Sequence, residues 1–364
     1  MRVTIVIPTP ALPCGVFEYS ATLAKNLNCA QEAAKVLSGS HVDILDRLRF
    51  DNATDILHLQ FGYYLYPPNF LVQILELARS KGWPFLITMH GFRPDMATHH
   101  DIIRHNRIPL LVHSNSMKQG LCACGIAQER IEVLAMPCPN LLSSTQLQQP
   151  LQMPPPGQLP HQPHPRTRQS QQQQLNRIGY FGFLLPHKGL RELCSALGLL
   201  LPTIPDLQAT ILSARAPFGV SEDYEAAIAH ILADECLRER VDWQTGFLSE
   251  DQILTELACC TAIVLPYQEH TEIGVSYAAS VALASGRPLI TTKVSFFENL
   301  ERVACQTTSN HPAELARTIK AMLDDPARQA TYVAQARSYV ARNTWADAAA
   351  AHQALYKRIL AHRC

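Results

Sequence analysis

The chain lacks the features that mark membrane-spanning and nucleic-acid-binding proteins. Its N-terminal apolar run, Val3–Ile7, is only as long as a β-strand before Pro8, Pro10 and Pro13 interrupt it, so it predicts neither a membrane span nor a signal peptide. No basic block or arm is present, and 31 Lys and Arg residues balance 31 Asp and Glu residues. We therefore expect no nucleic-acid partner.

The 11 cysteines lack the pairing that is typical of a disulfide framework or of a structural zinc site. Their number is odd, and the closest pairs, Cys122 with Cys124 and Cys259 with Cys260, have no second pair at zinc-ligand spacing. This pattern predicts reduced thiols in a cytoplasmic protein.

Metal ligands and a hydrolase triad are also missing. His99, His100 and Asp101 are adjacent in the sequence, and adjacent side chains seldom point at one ion. The chain has no nucleophile elbow and no Ser-His-Asp arrangement. We expect neither a bound metal nor catalysis by an activated serine.

What the chain does contain is a regular alternation of short apolar strands with helices. At 364 residues, 47% of them hydrophobic, it is long enough for two domains. Continuous apolar strands such as Ile56–Leu59 and Phe85–Met89 predict parallel sheets covered by helices on both faces. One Gln- and Pro-rich stretch, 145–176, has too few large apolar residues to fold by itself, and it predicts a disordered linker or inserted loop.

These patterns predict an α/β protein of two Rossmann-like, doubly wound domains that face a cleft. We expect the N-terminal domain to cover 1–144 and the C-terminal domain to cover 177–343, with a last helix in 344–364. Ligands of such sheets bind at the carboxyl ends of the strands.

Two motifs of the C-terminal domain each place a helix N-terminus at the end of a parallel strand. They are Phe181–Gly189 and Leu265–Ser276. Unpaired backbone N–H groups and the helix dipole favour anions at such positions. The first motif adds the cation Lys188, and the second adds the carboxylates of Glu269 and Glu272, which suit sugar hydroxyls. Together they indicate a nucleotide-sugar site.

The order and spacing of the motifs resemble those of the retaining glycosyltransferases of the GT-B fold, family four. The matching segments are Cys14–Tyr19, Thr88–Gly91, Phe181–Gly189, Thr245–Ile253 and Leu265–Ile290. The resemblance covers nearly the whole chain outside the Gln- and Pro-rich stretch. It implies that the last helix crosses back to the N-terminal domain.

The resemblance also implies roles for individual residues. Lys188 corresponds to the lysine that stabilises charge on the departing β-phosphate, and His90 to the histidine that contacts the transferred sugar. Glu272 corresponds to the first of two glutamates in the second motif. Further donor contacts are expected from Gly182, Phe183, Glu269, Gly274, Val275, Ser276 and Ser280. Gly15 and Glu18, in the first turn, are expected beside the acceptor.

Two positions depart from the family pattern. Phe183 stands where the family usually has an arginine that binds phosphate together with the lysine. The second glutamate, which normally binds the ribose, falls on Ser280 or on Val281, depending on the register chosen. The first glutamate survives only as Glu272, with a one-residue slip, or as Glu269.

The resemblance implies metal-independent transfer of a hexose from a nucleoside diphosphate sugar to an acceptor hydroxyl, with retention of configuration, as in polysaccharide biosynthesis. The acceptor is left open between a glycan, a lipid carrier and a small molecule, and a lipid carrier would bring a peripheral membrane contact. The two departures favour an alternative, a catalytically inactive nucleotide-sugar-binding or scaffold protein. A sugar-nucleotide epimerase or a phosphorylase would share the architecture.

Overall fold

A computed structural model describes residues 1–9, 15–30, 32–141, 176–216 and 221–361. The chain divides into two compact units, which we call unit 1 and unit 2. Unit 1 consists of Met1–Pro137, His270–Val275 and Asn343–Cys364, and unit 2 of Cys138–Glu269 and Ser276–Arg342. The predicted linker 145–176 lies outside the described residues, apart from Asn176. The segment His270–Val275, which we predicted in the C-terminal domain, belongs to unit 1.

The described residues form strands and helices that alternate along the chain. The strands are β1 (Arg2–Ile7), β2 (Ala33–Ser38), β3 (Ile56–Phe61), β4 (Phe85–Met89), β5 (Gly91–Phe92), β6 (Leu110–Val112), β7 (Ile131–Val133), β8 (Arg177–Phe181), β9 (Gln208–Leu212), β10 (Val241–Gln244), β11 (Ala262–Leu265), β12 (Ile273–Gly274), β13 (Leu289–Thr292) and β14 (Cys305–Thr307). The helices are α1 (Gly15–Cys29), α2 (His41–Arg49), α3 (Pro68–Ser80), α4 (Ala97–His105), α5 (Asn115–Ala123), α6 (Leu190–Leu200), α7 (Glu222–Leu232), α8 (Glu235–Arg238), α9 (Glu250–Ala258), α10 (Tyr277–Ala284), α11 (Pro312–Leu323), α12 (Pro326–Arg342) and α13 (Trp345–Ala361).

Unit 1 contains a six-stranded sheet in the order β2-β1-β3-β4-β6-β7. All of its strand pairs are parallel. The order reverses beside β1, as in flavodoxin-like sheets. Every residue of β3 is buried, including His58 and Gln60, because helices cover both faces of the sheet.

Unit 2 contains a second parallel six-stranded sheet, in the order β10-β9-β8-β11-β13-β14. Counted within this unit, the strand order is the 3-2-1-4-5-6 order of Rossmann folds. Helix α6 packs beside it with an apolar stripe of Leu190, Leu193, Leu197 and Leu200, spaced for one helix face. The predicted α/β class with two doubly wound sheets is confirmed.

Several elements were not predicted from the sequence. They are the edge strands β2 and β14, the helices α2, α4 and α8, and the short antiparallel pair formed by β5 and β12. The edge strand β2 is only partly buried, so its sequence does not carry the continuous apolar run of a central strand. Helix α4 carries His99 and His100, and both rings are tied internally: His99 Nε2 contacts the Tyr66 carbonyl, and His100 Nε2 contacts the Tyr63 hydroxyl, each at 2.9 Å.

The last helix, α13, is part of unit 1 and packs against α1. Its buried residues recur every three or four positions: Trp345, Ala348, Ala349, His352, Leu355 and Tyr356. Beside these buried residues, at the exposed edge of the helix, Gln353 Nε2 donates to the Ala30 carbonyl at 3.1 Å, and Arg358 pairs with Glu132 at 3.0 Å. The apolar stripe contributes most of the attachment, because exposed ion pairs stabilise little.

A buried polar network connects α13 to the sheet of unit 1. The Tyr356 hydroxyl lies 2.7 Å from His58 Nδ1, and the Thr88 hydroxyl lies 2.8 Å from His58 Nε2. His58, Thr88 and Tyr356 are all completely buried. Each hydrogen bond therefore matters mainly because a buried group left without its partner is costly.

We expect Tyr356→Phe to lower the free energy of unfolding by about 1–3 kcal/mol, because it removes the 2.7 Å partner of the buried His58 Nδ1 and leaves only a 3.5 Å contact with Gln60 Nε2. Tyr19→Phe is the matched control. Among the described residues the Tyr19 hydroxyl is buried and has no hydrogen-bond partner, so its removal should be neutral or stabilising. Urea denaturation of both variants measures the difference, and equal losses would contradict the role of the network.

Candidate functional site

In unit 2 the predicted donor motifs follow two neighbouring strands, β8 and β11. The strand order of the sheet reverses at this pair, since the chain continues to β9 on one side and to β13 on the other. Such a switch point leaves an opening at the carboxyl ends of the strands, where α/β proteins bind their ligands. Gly182 and Pro266, the residues that directly follow these strands, begin the two loops of the site.

The loop after β8 presents Lys188 at the end of a short 3₁₀ turn, Pro186–Lys188. Gly189 then takes the left-handed conformation, with φ of 74°, and α6 begins at Leu190. The glycine turns the backbone sharply between the 3₁₀ turn and the helix. We predicted a helix start beside the lysine, and the intervening 3₁₀ turn was not visible in the sequence.

The two loops are joined through their backbones. Gln268 N donates to the His187 carbonyl at 2.8 Å. A Cβ atom on Gly189 would lie 1.9 Å from the Pro266 carbonyl oxygen, so a side chain has no room there. These contacts, one on each side of Tyr267, fix the Lys188 loop over that tyrosine.

The Lys188 ammonium rests on aromatic rings. Its Nζ lies 3.9 Å from the centre of the Tyr267 ring and 5.3 Å from that of Phe296. Both distances are within the range of cation–π attraction. Across the part of the chain that the structure describes, no carboxylate forms an ion pair with Lys188. Among the residues described, its positive charge is therefore held in place without being neutralised.

The loop after β11 leads to the N-terminus of α10. Ser276 is the N-cap of this helix, and its Oγ accepts a hydrogen bond from Ala279 N at 3.3 Å. The same Oγ lies 2.9 Å from the Tyr267 hydroxyl. Glu269, at the start of the loop, accepts hydrogen bonds from Ser295 N at 3.2 Å and from Ser295 Oγ at 2.6 Å. The predicted sugar-binding Glu269 thus caps the 3₁₀ segment that begins at Ser295.

Three other residues of this motif, Glu272, Gly274 and Val275, belong to unit 1. There β12 pairs antiparallel with β5, with Ile273 opposite Phe92 and Gly274 opposite Gly91. A Cβ on Gly91 would lie 1.9 Å from Glu272 Oε1, which shows that the carboxylate packs against the Gly91 backbone. The structure therefore brings Glu272 beside the residue that follows His90.

His90 lies directly after β4, as predicted, and its Nε2 is 2.8 Å from the Gln60 Oε1. An amide oxygen is an acceptor only, so Nε2 carries the proton and Nδ1 is left as an acceptor. The ring packs edge-on against Tyr19, at 4.8 Å between centroids, and lies 5.4 Å from the ring of His113. Burial, with a smaller effect of His113, holds the pKa of His90 well below its usual value. His90 is therefore neutral at pH 7.

The remaining predicted residues have contrasting environments. Ser280, at the position expected to contact the ribose, is buried, with 5% of its surface exposed. Gly182 is buried and Phe183 is half-buried. Gly15 and Glu18 are both exposed at the start of α1, and a Cβ on Gly15 would meet no atom of the described residues within 4 Å.

Sequence reasoning missed Tyr267, Phe296 and Gln60. Tyr267 was inside a quoted motif, beside Pro266, but a buried aromatic residue after a strand is typical of a core position. Phe296 comes from a distant part of the chain, and Gln60 is, with His58, one of two polar residues in a strand that is otherwise apolar. That last feature was the one available signal, because a buried amide needs a partner.

Within the described residues, no group of three or more His, Cys, Asp or Glu side chains is arranged to hold a metal ion. In the same part of the chain, no helix combines the length and the apolarity needed to cross a bilayer. The cysteines found there, from Cys29 to Cys305, are all free thiols.

Gly189→Ala should lower the free energy of unfolding by at least about 2 kcal/mol, since it combines a left-handed φ with a clash against the Pro266 carbonyl. Gly198→Ala, inside α6, is the control: its Cβ meets no atom within 4 Å, and helix propensity should raise the free energy of unfolding by about 0.5–1 kcal/mol. Chemical denaturation distinguishes the two, and a neutral Gly189→Ala would contradict the contact with Pro266.

The buried histidines of unit 1 predict a loss of stability in mild acid. Burial lowers the pKa of His113 and of His352 to about 4, against about 6.5 in the unfolded chain. Between these values the unfolded chain binds protons that the folded chain does not. Stability should therefore fall as the pH drops from 6.5 towards 4, by up to about 1.4 kcal/mol per pH unit for each histidine. Urea denaturation over this range should show a shallower dependence for His352→Gln than for the wild type, and identical slopes would contradict the assignment.

Comparison with known proteins identifies the domain. Residues 176–325 match the family model described as Glycosyl transferases group 1. Sucrose-phosphate synthase from Thermosynechococcus elongatus superposes with a TM-score of 0.76 at 14% identity, over 100% of both chains. Anabaena HepE, solved in complex with UDP and glucose, gives 0.73 at 14% identity, over 98% of this chain and 99% of that one. A glycosyltransferase from Rickettsia africae gives 0.73 at 15% identity, over 99% of each chain. No curated protein sequence matches this chain.

At these identities the solved structures establish the fold, and the family model establishes the domain. Both agree with the resemblance found in the sequence, and the prediction of a glycosyltransferase is confirmed at the level of its domain family. The matched segment contains the Lys188 loop, Tyr267 and the start of α10. Residues 176–325 thus match the model of the glycosyl transferases group 1 family, in a chain that has the GT-B fold.

Proposed function

We propose that this protein transfers a sugar from a nucleoside diphosphate sugar to an acceptor hydroxyl, with retention of configuration and without a metal ion. The observation that carries the proposal is the Lys188 ammonium, which is fixed at the switch point of unit 2 with no carboxylate partner among the described residues. A fixed, unneutralised cation suits an anionic group, and the matched family acts by glycosyl transfer.

Unit 2 would hold the donor. As the bond between the sugar and the β-phosphate breaks, negative charge grows on the phosphate oxygens, and Lys188 stabilises it more strongly in the transition state than in the ground state. The backbone N–H groups at the start of α10, beside Ser276, favour the same anion. Gly182 and Phe183 would line the donor side of the Lys188 loop. These groups supply the positive charge that a divalent ion supplies elsewhere.

Unit 1 would supply His90 and Glu272, and the acceptor would bind near Gly15 and Glu18. A neutral His90 whose Nε2 is engaged by Gln60 can accept a hydrogen bond from a sugar hydroxyl at Nδ1. Glu272, a carboxylate packed on the Gly91 backbone, can orient other hydroxyls. Held in this way, the reacting sugar approaches its attack geometry before reaction.

Retention follows if the acceptor attacks from the face that the phosphate leaves. The bond between the acceptor oxygen and the anomeric carbon forms while the bond from that carbon to the phosphate oxygen breaks. The acceptor proton passes to the departing phosphate, which becomes more basic as it leaves. No side chain then has to act as nucleophile or base.

The choice of donor follows from the similar structures. Those of Anabaena HepE contain UDP with glucose, UDP alone and UDP-glucose. We therefore infer a UDP-hexose as the first donor to test, followed by GDP- and ADP-sugars. The acceptor stays open between a glycan, a lipid carrier and a small molecule.

Two observations favour an alternative function, a GT-B protein that binds nucleotide sugars without turnover. Phe183 occupies the place of the second phosphate-binding cation. Ser280, one of the two positions available for the ribose-binding glutamate, is buried and lacks a carboxylate. Lys188 would then bind the donor, and no product would form.

We expect Lys188→Ala to lower donor turnover at least tenfold, which corresponds to about 1.4 kcal/mol of transition-state stabilisation. The measurement is hydrolysis or transfer across a panel of UDP-, GDP- and ADP-sugars, with thermal shift to report binding. Lys320→Ala is the control, because Lys320 pairs with Asp324 on the exposed surface of α11.

Near-wild-type turnover in Lys188→Ala would remove Lys188 from this role. Donor binding without turnover in the wild type would establish the alternative function. Interconversion of the donor sugar without any acceptor would instead indicate an epimerase.

A further inference from the structure

We propose that Tyr267 is a positioning residue that presents Lys188 to the donor diphosphate, an inference that rests on the proposed function. Tyr267 is 1% exposed and lies in the loop after β11, between the two backbone contacts that join this loop to the Lys188 loop. Its ring and its hydroxyl reach two different parts of the expected phosphate site.

The ring face of Tyr267 supports the cation. Lys188 Nζ lies 3.9 Å from its centre, closer than the 5.3 Å to the Phe296 ring. The tyrosine ring is held in turn by Phe297, at 4.7 Å between centroids, and the Thr292 hydroxyl donates to the Tyr267 carbonyl. Lysine has a long, flexible side chain, and a fixed aromatic face restricts where its charge can lie.

The hydroxyl of Tyr267 reaches the start of α10. It lies 2.9 Å from Ser276 Oγ, and a Cβ on Gly182 would lie 3.8 Å from it. One side chain therefore connects the cation, the helix N-cap and the backbone after β8. These are the three elements from which the proposed function builds the phosphate site.

Phe183 should make the reaction rate depend more strongly on Tyr267. With no arginine at that position, the loop lacks a second permanently charged side chain to compensate if Lys188 is misplaced. Tyr267 should therefore affect the rate by acting through Lys188. A residue that only supports the fold would act independently of Lys188.

The test is a double-mutant cycle on donor turnover. Tyr267→Leu removes the ring and should lower kcat at least tenfold. Tyr267→Phe keeps the ring and should retain most of the wild-type kcat. In a Lys188→Ala background, Tyr267→Leu should change the rate by less than about threefold, because the group it positions is gone. Tyr332→Leu, elsewhere in unit 2, should leave turnover unchanged. Independent, multiplicative losses in the double variant would overturn the role of Tyr267.

A second measurement needs no activity. Reductive methylation with ¹³C labels the Lys188 amine, and its NMR signal is assigned by its absence in Lys188→Arg. The Tyr267 ring should shift this signal upfield in the wild type and in Tyr267→Phe, and the shift should vanish in Tyr267→Leu. Its absence from the wild type would overturn the inference. Wild-type protein that shows the shift but neither binds nor turns over any donor would overturn the proposed function, and with it the catalytic meaning of this contact.

Discussion

The proposed donor site depends on a glycine that has no room for a side chain. Gly189 lies against the Pro266 carbonyl, and this contact holds the loop after β8 on the loop after β11. Because both loops follow adjacent strands of one parallel sheet, the sheet fixes where each loop begins. Gly189 allows the two loops to come into direct backbone contact. The position of Lys188 follows from these two constraints.

The electrostatics of the two units differ in a way that suits their proposed tasks. In unit 2 a permanent cation is kept without a carboxylate partner among the described residues, on rings that attract it and do not neutralise it. In unit 1 the buried histidines are kept neutral by desolvation, and amide and hydroxyl groups set their hydrogen-bonding directions. A cation suits the charge of a leaving phosphate, and uncharged, directional groups suit the hydroxyls of a sugar.

The sequence predicted the parts of the structure that have a strong local pattern. Central strands such as β4 and β11 and long amphipathic helices such as α6 and α13 lie where their apolar spacing placed them. The half-exposed strand β2 and the two-residue strand β12 carry no such pattern. The course of His270–Val275 into unit 1 depends on a pairing with β5, far away in the sequence, which no local rule reveals.

The residues of the candidate site were proposed from the sequence, but their contacts could not be. Lys188, His90 and Glu272 were chosen because chemistry-bearing side chains follow strands of a parallel sheet, and their roles stay predictions. That Tyr267 lies under Lys188, and that Gln60 fixes the ring of His90, are long-range contacts that appear only once the chain is folded. Phe183 was recognised as a departure, and the structure shows how a single cation can be held firmly without the arginine.

The most direct test of this description is a crystal structure of the protein with UDP, and with GDP and ADP in parallel. We predict that one nucleotide binds with a β-phosphate oxygen about 2.7–2.9 Å from Lys188 Nζ, beside the N-terminus of α10. A nucleotide whose diphosphate lies away from Lys188, or no bound nucleotide in any of the three crystals, would contradict the central claim.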